Sequence, residues 1–201
     1  RNAAEGVRTV VGSNATRNLT VSNTTMENVN RGFYVPTSSE STPRVEFAIR
    51  DSSINATDKG VFVFKDDVGR YDVELENTFI NTTTGDHGVR FSLTENGTDL
   101  NLSMVDNTVE SAESSVSLNL ERSHATTDLE LRGNDINASG DANDYGVYLK
   151  NSQTFGDINT STDVAATNNS IESNANALFL LVRGGEGSRD IEFANNTIEA
   201  S

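Results

Sequence analysis

The sequence predicts an all-β fold, a right-handed parallel β-helix of about seven coils with an asparagine-type ladder. Three observations predict it: a repeat of 26 to 35 residues, short segments of alternating apolar and polar residues, and clusters of Asn, Asp and Gly between them. Alternation with a period of two is typical of strands, because every second side chain then faces a core. A repeat of this size cannot bury its apolar side chains alone, so successive repeats must stack.

The first strand of each repeat runs into a fixed pattern, apolar–x–apolar–x–(Asn/Asp/Gly)–x–x–apolar. Segments with this pattern begin at Leu19, Phe47, Val73, Leu102, Leu129, Val164 and Ile191. These residues should form one inward stack. The second apolar position predicts another stack of Val21, Ile49, Leu75, Met104, Leu131, Ala166 and Phe193. The third predicts a stack of Met26, Ile54, Ile80, Val109, Ile136, Ile171 and Ile198.

The fifth position of the pattern is the predicted ladder. It is occupied by Asn23, Asp51, Asn77, Asp106, Gly133, Asn168 and Asn195. Asn at a stacked turn can adopt the turn conformation, and its side-chain amide can hydrogen-bond to the equivalent amide of the next coil. We therefore expect these side chains to point inward.

A second apolar strand follows in each repeat and is usually opened by glycine, as in GVFVF at Gly60. We expect this glycine to supply a positive φ. The outward positions of the strand predict a binding surface made of Tyr34, Phe62, Arg90, Tyr148 and Phe179. Aromatic rings and Arg on a rigid sheet suit sugar rings or a protein partner. The alternative is that a loop covers the row, and the insert at 150–163, which contains Phe155, is the segment placed to do so.

The strongly negative net charge of the chain excludes some classes of binding partner. The net charge is −15, from 30 Asp and Glu against 15 Lys and Arg, which argues against nucleic acid and anionic membrane surfaces as partners. No apolar run approaches the roughly 18 residues of a membrane span, and cysteine is absent. Many acids with few lysines indicate a high-salt environment, where screening relieves self-repulsion. An ordinary acidic secreted protein is the alternative.

The motif Φ-x-Φ-x-N-x-x-Φ followed by Gly-Val-x-Φ, where Φ is apolar, resembles the parallel β-helix repeat of the NosD-like, carbohydrate-binding and sugar-hydrolase (CASH) families. The resemblance extends from Gly6 to Ile198. It implies a bacterial or archaeal surface protein, and the acidic composition favours a haloarchaeal one. It does not imply one activity, because the fold hosts lyases, hydrolases, epimerases, adhesins and inert spacers.

No sequence motif by itself predicts catalytic residues, and one group is the best candidate. Enzymes of the resembling families use converging carboxylates, or Ca²⁺-binding Asp with a catalytic Arg or Lys. Glu74 and Glu76 share one outer face with Arg50 one coil away. Alternating charges on a solvated sheet are the competing explanation. His87 and His124 have no nucleophile motif nearby, so a Ser/His/Asp device is not expected.

One column of acids suggests a cation. Asp128, Asp163 and Asp190 directly precede the first strand pattern on three consecutive coils. Like charges stacked this closely are destabilising unless a cation or high salt intervenes. We hypothesise Ca²⁺ or another cation there; the alternative is that the carboxylates splay into solvent. No other cofactor is expected.

Eleven Asn-x-Ser/Thr sequons are present. Those expected in turns or loops, where a glycan could stand in solvent, are Asn55, Asn81, Asn96, Asn137 and Asn159. Asn23, Asn168 and Asn195 belong to the predicted ladder, so we expect them to be unmodified. Because Asn, Ser and Thr are common in turns, the turn-rich composition by itself accounts for part of the high number of sequons.

Together these features predict a non-catalytic module of a secreted or cell-surface protein. It would act as a rigid scaffold or an adhesion surface that binds polysaccharide or a neighbouring surface protein. A polysaccharide lyase or glycoside hydrolase domain is the first alternative, and a self-assembling extracellular fibre subunit with end-to-end association is the second. Residues 1–201 are expected to form a single β-helix domain. Both ends fall inside a coil, so we expect a segment of a longer solenoid.

Overall fold

The computed structural model describes residues 3–10, 16–36, 44–65, 69–84, 87–93, 98–121, 126–141, 143–152, 161–183 and 188–201. All regular elements in these ranges are β-strands, and every strand pair is parallel. The all-β parallel solenoid is therefore confirmed, with about six turns where the sequence predicts about seven. These ranges hold no helix long and apolar enough to cross a membrane.

The strands are numbered in chain order. They are β1 (Ala3–Arg8), β2 (Thr16–Ser22), β3 (Thr25–Pro36), β4 (Arg44–Arg50), β5 (Ser53–Lys65), β6 (Arg70–Glu76), β7 (Phe79–Thr82), β8 (His87–Leu93), β9 (Asp99–Val105), β10 (Thr108–Ser111), β11 (Ser114–Glu121), β12 (Thr127–Arg132), β13 (Asp135–Ala138), β14 (Tyr145–Ser152), β15 (Thr162–Thr167), β16 (Ser170–Ser173), β17 (Asn176–Arg183), β18 (Arg189–Ala194) and β19 (Thr197–Ala200).

The strands form three faces. The first face is the sheet β2-β4-β6-β9-β12-β15-β18. The second face contains residues 25–28 of β3, residues 53–56 of β5, and then β7, β10, β13, β16 and β19. The third face contains β1, residues 31–36 of β3, residues 59–65 of β5, and then β8, β11, β14 and β17. Because β3 and β5 turn the corner between the second and third faces without a break, the main-chain hydrogen bonds join those two faces into one continuous sheet.

The three predicted inward stacks are confirmed. On the first face Phe47 lies opposite Val73, and Val73 opposite Leu102, so equivalent residues of successive repeats are in register. Their side chains are buried along the solenoid, and each such side chain contributes about 1.5 to 3 kcal/mol relative to exposure. The exceptions lie in the outermost coils. Leu19 is only partly buried, and Ile191, Phe193 and Ile198 are exposed because no further coil packs on them in the structure.

The asparagine ladder is present, but the predicted position is wrong by one residue. The ladder consists of the buried Asn107, Asn134 and Asn169 and the partly buried Asn196. Each donates from Nδ2 to a main-chain oxygen and, where a further coil follows, to the next Asn Oδ1. The seven residues that the sequence predicts for the ladder each lie one residue before the ladder position of their coil, and they adopt φ of 45° to 68°. Those residues are Asn23, Asp51, Asn77, Asp106, Gly133, Asn168 and Asn195. A left-handed residue turns the chain and points its own side chain outward, so the next residue enters the core.

The glycine that opens the third-face strand has a different role from the one predicted. Among the described glycines, only Gly133 has a positive φ, so the expectation for Gly32, Gly60, Gly88 and Gly146 is wrong. These glycines are required by close approach instead. A Cβ on Gly60 would lie 2.5 Å from the carbonyl oxygen of Gly88 in the next coil and would also overlap the Ile80 side chain.

Candidate functional site

The predicted binding residues lie in one outward column of the third face. The register places Arg8, Tyr34, Phe62, Arg90, Ser117, Tyr148 and Phe179 on successive coils. Ser117 is buried and has no ring, so it divides the column into two groups. We call the group around Tyr34 and Phe62 the cationic cluster, and the group of Tyr145, Tyr148 and Phe179 the tyrosine cluster.

The cationic cluster is built on two stacked rings. Tyr34 and Phe62 have ring centroids 5.3 Å apart and planes 6° apart, as expected for side chains on adjacent coils. The Arg31 guanidinium lies 4.7 Å from the Tyr34 centroid, and the Lys59 ammonium lies 5.2 Å from the Phe62 centroid. Each cation–π contact is worth about 0.5 to 1 kcal/mol near the surface. The cations therefore fix the rings as well as adding positive charge.

An arginine side chain also lies at each end of the stacked pair of Tyr34 and Phe62. Arg8 lies 5.7 Å from the Tyr34 centroid, and Arg90 lies 5.9 Å from the Phe62 centroid. Phe64, two residues beyond Phe62, is exposed and lies 6.0 Å from it. Since the rings stack on one another along the solenoid, neighbouring rings do not lie flat on the sheet. A ligand would meet ring edges, Phe64 and guanidinium groups.

The tyrosine cluster contains three rings in mutual contact. Tyr148 and Phe179 are stacked at 5.0 Å with planes 8° apart. Tyr145 lies 5.1 Å from Tyr148 and 5.4 Å from Phe179 in tilted orientations. Pairs of this kind add about 0.5 to 1.5 kcal/mol beyond area burial. The predicted cover for this cluster, Phe155, lies outside the described residues.

The sequence reasoning missed Arg31, Lys59 and Tyr145. All three lie immediately before the glycine that opens the third-face strand, three residues ahead of Tyr34, Phe62 and Tyr148 respectively. They belong to a second outward column, in which Arg31 pairs with Lys59. The signal that could have found them is this pre-glycine position, which repeats with the coil.

The catalytic candidates are brought together on the first face. Arg50 donates from Nη2 to Glu74 Oε2 at 2.6 Å and from Nε to Glu74 Oε1 at 2.9 Å. Glu76 lies 3.4 Å from the same guanidinium. Arg50 and Glu74 border an open groove of about 580 Å³, whose other charged lining residues include Arg44 and Asp72. The groove is thus lined by carboxylates and guanidiniums in close proximity.

The electrostatics of this group do not favour acid catalysis. The hydrogen bond and the charge of Arg50 hold the pKa of Glu74 below its ordinary value, although partial burial opposes this shift. A general acid that works near neutral pH needs a raised pKa. Glu74 is therefore an ionised partner of Arg50, suited to binding or to holding the guanidinium.

We expect Arg50→Gln to raise the pKa of Glu74 toward the ordinary value of a glutamate carboxyl, as measured by NMR titration. Because the folded-state pKa of Glu74 is lowered, the ion pair stabilises the fold above the unfolded-state pKa, and that stabilisation is lost as the pH falls through the folded-state value. The difference in Tm between wild type and Arg50→Gln should therefore vanish in acid. Arg132→Gln, which removes an arginine paired with Glu130, should leave the Glu74 titration unchanged. A Tm difference that grows in acid would contradict this assignment.

The predicted cation column has the expected register. Asp128 lies opposite Asp163, and Asp163 opposite Asp190, on consecutive coils. Asp128 and Asp190 are exposed, and Asp163 is half-buried. Within the described ranges no group of three His, Cys, Asp or Glu side chains has an arrangement that could hold a metal ion.

The sequons within the described residues lie away from the third face. Asn55, Asn81 and Asn137 occupy outward positions in second-face strands, so the prediction that they lie in turns is wrong. Asn96 and Asn159 lie outside the described residues. Asn23, Asn168 and Asn195 are exposed at turns, contrary to the expectation of an inward ladder position. Among the described residues, no sequon asparagine lies on a third-face strand, so glycans on these sites would leave the two clusters uncovered.

No protein-family model, curated protein or solved structure matches this chain. The repeat and the stacked parallel strands together support a parallel β-helix repeat fold.

Proposed function

We propose that this chain is a non-catalytic β-helix module of a secreted or cell-surface protein, which acts as a rigid scaffold and binds polysaccharide through its third face. The observation that carries the proposal is the column of stacked aromatic rings and guanidinium groups around Tyr34, Phe62 and Tyr148. Rings combine apolar contact area with few rotatable bonds, so they bind at low entropic cost. The strands beneath are paired on both sides, which keeps the spacing of the rings fixed.

The origin and location form part of the same proposal. The repeat resembles that of NosD-like and CASH proteins, and a net charge of −15 with only 15 basic residues, three of them Lys, fits a haloarchaeal surface protein. Asn55, Asn81 and Asn137 on the second face are suitable positions for glycans of an extracellular protein. These features support an exterior location with one face left available for binding.

The groove on the first face supports a polysaccharide lyase or glycoside hydrolase as the alternative function. It places Glu74 and Arg50 in a concave site large enough for part of a sugar chain, with Glu76 beside Arg50. The lowered pKa of Glu74 counts against its use as a general acid. We therefore rank the binding function first.

The test is incubation of the chain, in low salt and again in high salt, with a panel of neutral and acidic polysaccharides. Retention of the protein and release of new reducing ends are measured in the same samples. We expect retention without new ends. If the wild type releases new reducing ends and Glu74→Gln does not, the enzyme alternative replaces the proposal. If the protein is not retained and no new ends form, polysaccharide binding is rejected.

Replacing Tyr34, Phe62 and Tyr148 together by Ser should reduce retention on a bound polysaccharide by at least about tenfold, since each ring contact that is lost is worth about 1 kcal/mol. Circular dichroism should show an intact solenoid, because all three rings point outward. Phe79→Ser removes an outward ring from the second face and is the matched control. Equal retention by the triple variant and the control would exclude the third face as the binding surface.

A further inference from the structure

The three faces differ in charge. The basic residues of the third face with described side chains are Arg8, Arg31, Lys59, Arg90, Lys150 and Arg183. Among the described side chains, Glu5 is the acidic residue on the face itself, and the corners that precede its strands carry Asp58, Glu113, Asp141 and Asp144. The face therefore carries a positive net charge, although the chain as a whole carries −15.

The other faces show the opposite balance. The second-face strands carry Glu27, Glu110, Asp135, Glu172 and Glu199 and, within the described residues, neither Lys nor Arg. On the first face several arginines are paired with carboxylates, as in Arg44 with Glu46 at 2.6 Å and Arg70 with Asp72 at 3.0 Å. Third-face cations are paired as well, Arg31 and Lys59 with Asp58 and Arg8 with Glu5. The difference is one of balance, because basic residues outnumber acidic ones on the third-face strands and acidic residues outnumber basic ones on the other two faces.

We infer that the third face binds an anionic polysaccharide, one that bears carboxylate or sulfate groups. This inference rests on the proposed function and specifies the class of ligand. Guanidinium groups make paired, charge-assisted hydrogen bonds with such anions, and ring edges and Phe64 offer apolar contact to the sugar units between them. The acidic second face repels the same polymer, so the charge pattern directs it to the third face.

Arg8 and Arg90 define the extent of the site. They bracket Tyr34 and Phe62 in one column, so they are three coils apart, about 14 Å at the usual strand spacing. Arg8 is the more accessible, with 51% of its side chain exposed and one ion pair to Glu5 at 3.6 Å. Arg31 is less available, since it contacts both Asp58 and Glu5. The polymer therefore needs two anionic groups separated by an apolar stretch.

The experiment compares three polymers that share one glucan backbone: dextran, carboxymethyl dextran and dextran sulfate. Affinity for each is measured at rising NaCl, with circular dichroism monitoring the fold at each concentration. We expect binding of at least one charged polymer that is about tenfold or more tighter than binding of dextran and that weakens as salt rises. The carboxylated and sulfated arms identify which anion is preferred.

Variants locate the site. Arg8→Gln with Arg90→Gln should weaken binding of the charged polymer by about tenfold or more, because a charge-assisted hydrogen bond is worth about 1.5 to 3 kcal/mol. Arg17→Gln with Arg132→Gln removes the same charge from the first face, where Arg132 is 52% exposed, and should change binding little.

The failures of the two proposals are distinguishable. Equal affinity for dextran and the charged polymers, lost in the Tyr34/Phe62/Tyr148→Ser variant, would overturn the anionic ligand and leave the proposed function standing. Equal loss in both arginine pairs would also overturn it, since attraction would then not be specific to the third face. Concentration-dependent self-association that Arg8→Gln with Arg90→Gln abolishes, without polymer binding, would show that the face binds the acidic face of another copy and would overturn both proposals.

Discussion

Replacing Asn134 by Ala should lower the free energy of unfolding by about 3 to 5 kcal/mol, because it leaves several buried polar groups without partners. Asn134 Nδ2 donates to the carbonyl oxygen of Met104 at 2.8 Å and to Asn169 Oδ1 at 2.9 Å. Its Oδ1 accepts from the Asn107 main-chain N–H and from Asn107 Nδ2, both at 3.0 Å. Each buried group that loses its partner costs about 1 to 3 kcal/mol.

The position of Asn134 in the ladder makes the effect larger than that of a single hydrogen bond. Asn134 is buried between two further Asn residues, so its loss interrupts a chain of amides that polarise one another. Urea unfolding followed by circular dichroism measures the change. Asn137→Ala in the same coil, at an exposed second-face position, is the matched control and should change stability by less than about 0.5 kcal/mol. Similar values for the two variants would show that the ladder does not stabilise the fold.

Replacing Gly60 by Ala should destabilise the protein by about 3 kcal/mol, the upper part of the usual range for overpacking. The added Cβ would meet the Gly88 carbonyl oxygen and the Ile80 side chain. A main-chain atom of a paired strand cannot move aside without shifting the coil above. The effect should therefore appear as a lower Tm and as faster amide exchange in β8 as well as in β5.

Ser115→Ala is the matched control for Gly60→Ala. Ser115 occupies the equivalent position of a later coil and already carries a Cβ, so this change removes only a hydroxyl that hydrogen-bonds to the Asn137 carbonyl oxygen. We expect a cost near 1 kcal/mol, about that of one hydrogen bond. A Gly60→Ala variant as stable as Ser115→Ala would mean that the coils separate easily and that close approach does not explain the glycine.

The core could be predicted well from sequence because the signal is local. Side-chain direction in a strand has a period of two, so Phe47, Ile49 and Ile54 could be assigned inward from the pattern alone. The ladder was displaced by one residue because Asn168 and Asn169, or Asn195 and Asn196, look alike in sequence. The pair Asp106-Asn107 distinguishes the two positions. An ionised Asp cannot donate a hydrogen bond to the next coil, whereas Asn can both donate and accept, so Asn107 is the ladder residue.

The candidate site was predicted in part. The column of Tyr34, Phe62 and Tyr148 follows from strand alternation and stacking, so sequence was sufficient. The contribution of Arg31 and Lys59 depends on the corner between the second and third faces, where the register of β3 against β5 shifts. The pre-glycine position marks both residues in the sequence, but such shifts arise from packing of the whole coil, so their contacts with Tyr34 and Phe62 do not follow from spacing alone. The lowered pKa of Glu74 likewise depends on side-chain geometry that a sequence does not specify.

Hydroxyl-radical footprinting of the chain with a bound polysaccharide, read by mass spectrometry, tests the binding surface most directly. Aromatic oxidation reports which face the polymer covers. We predict protection of Tyr34, Phe62 and Phe64 on the third face, with no protection of Phe79 on the second face and none in the first-face segment from Arg44 to Arg50. Protection of that first-face segment, with Tyr34 and Phe62 oxidised as in the free protein, would contradict the assignment of the third face as the binding surface.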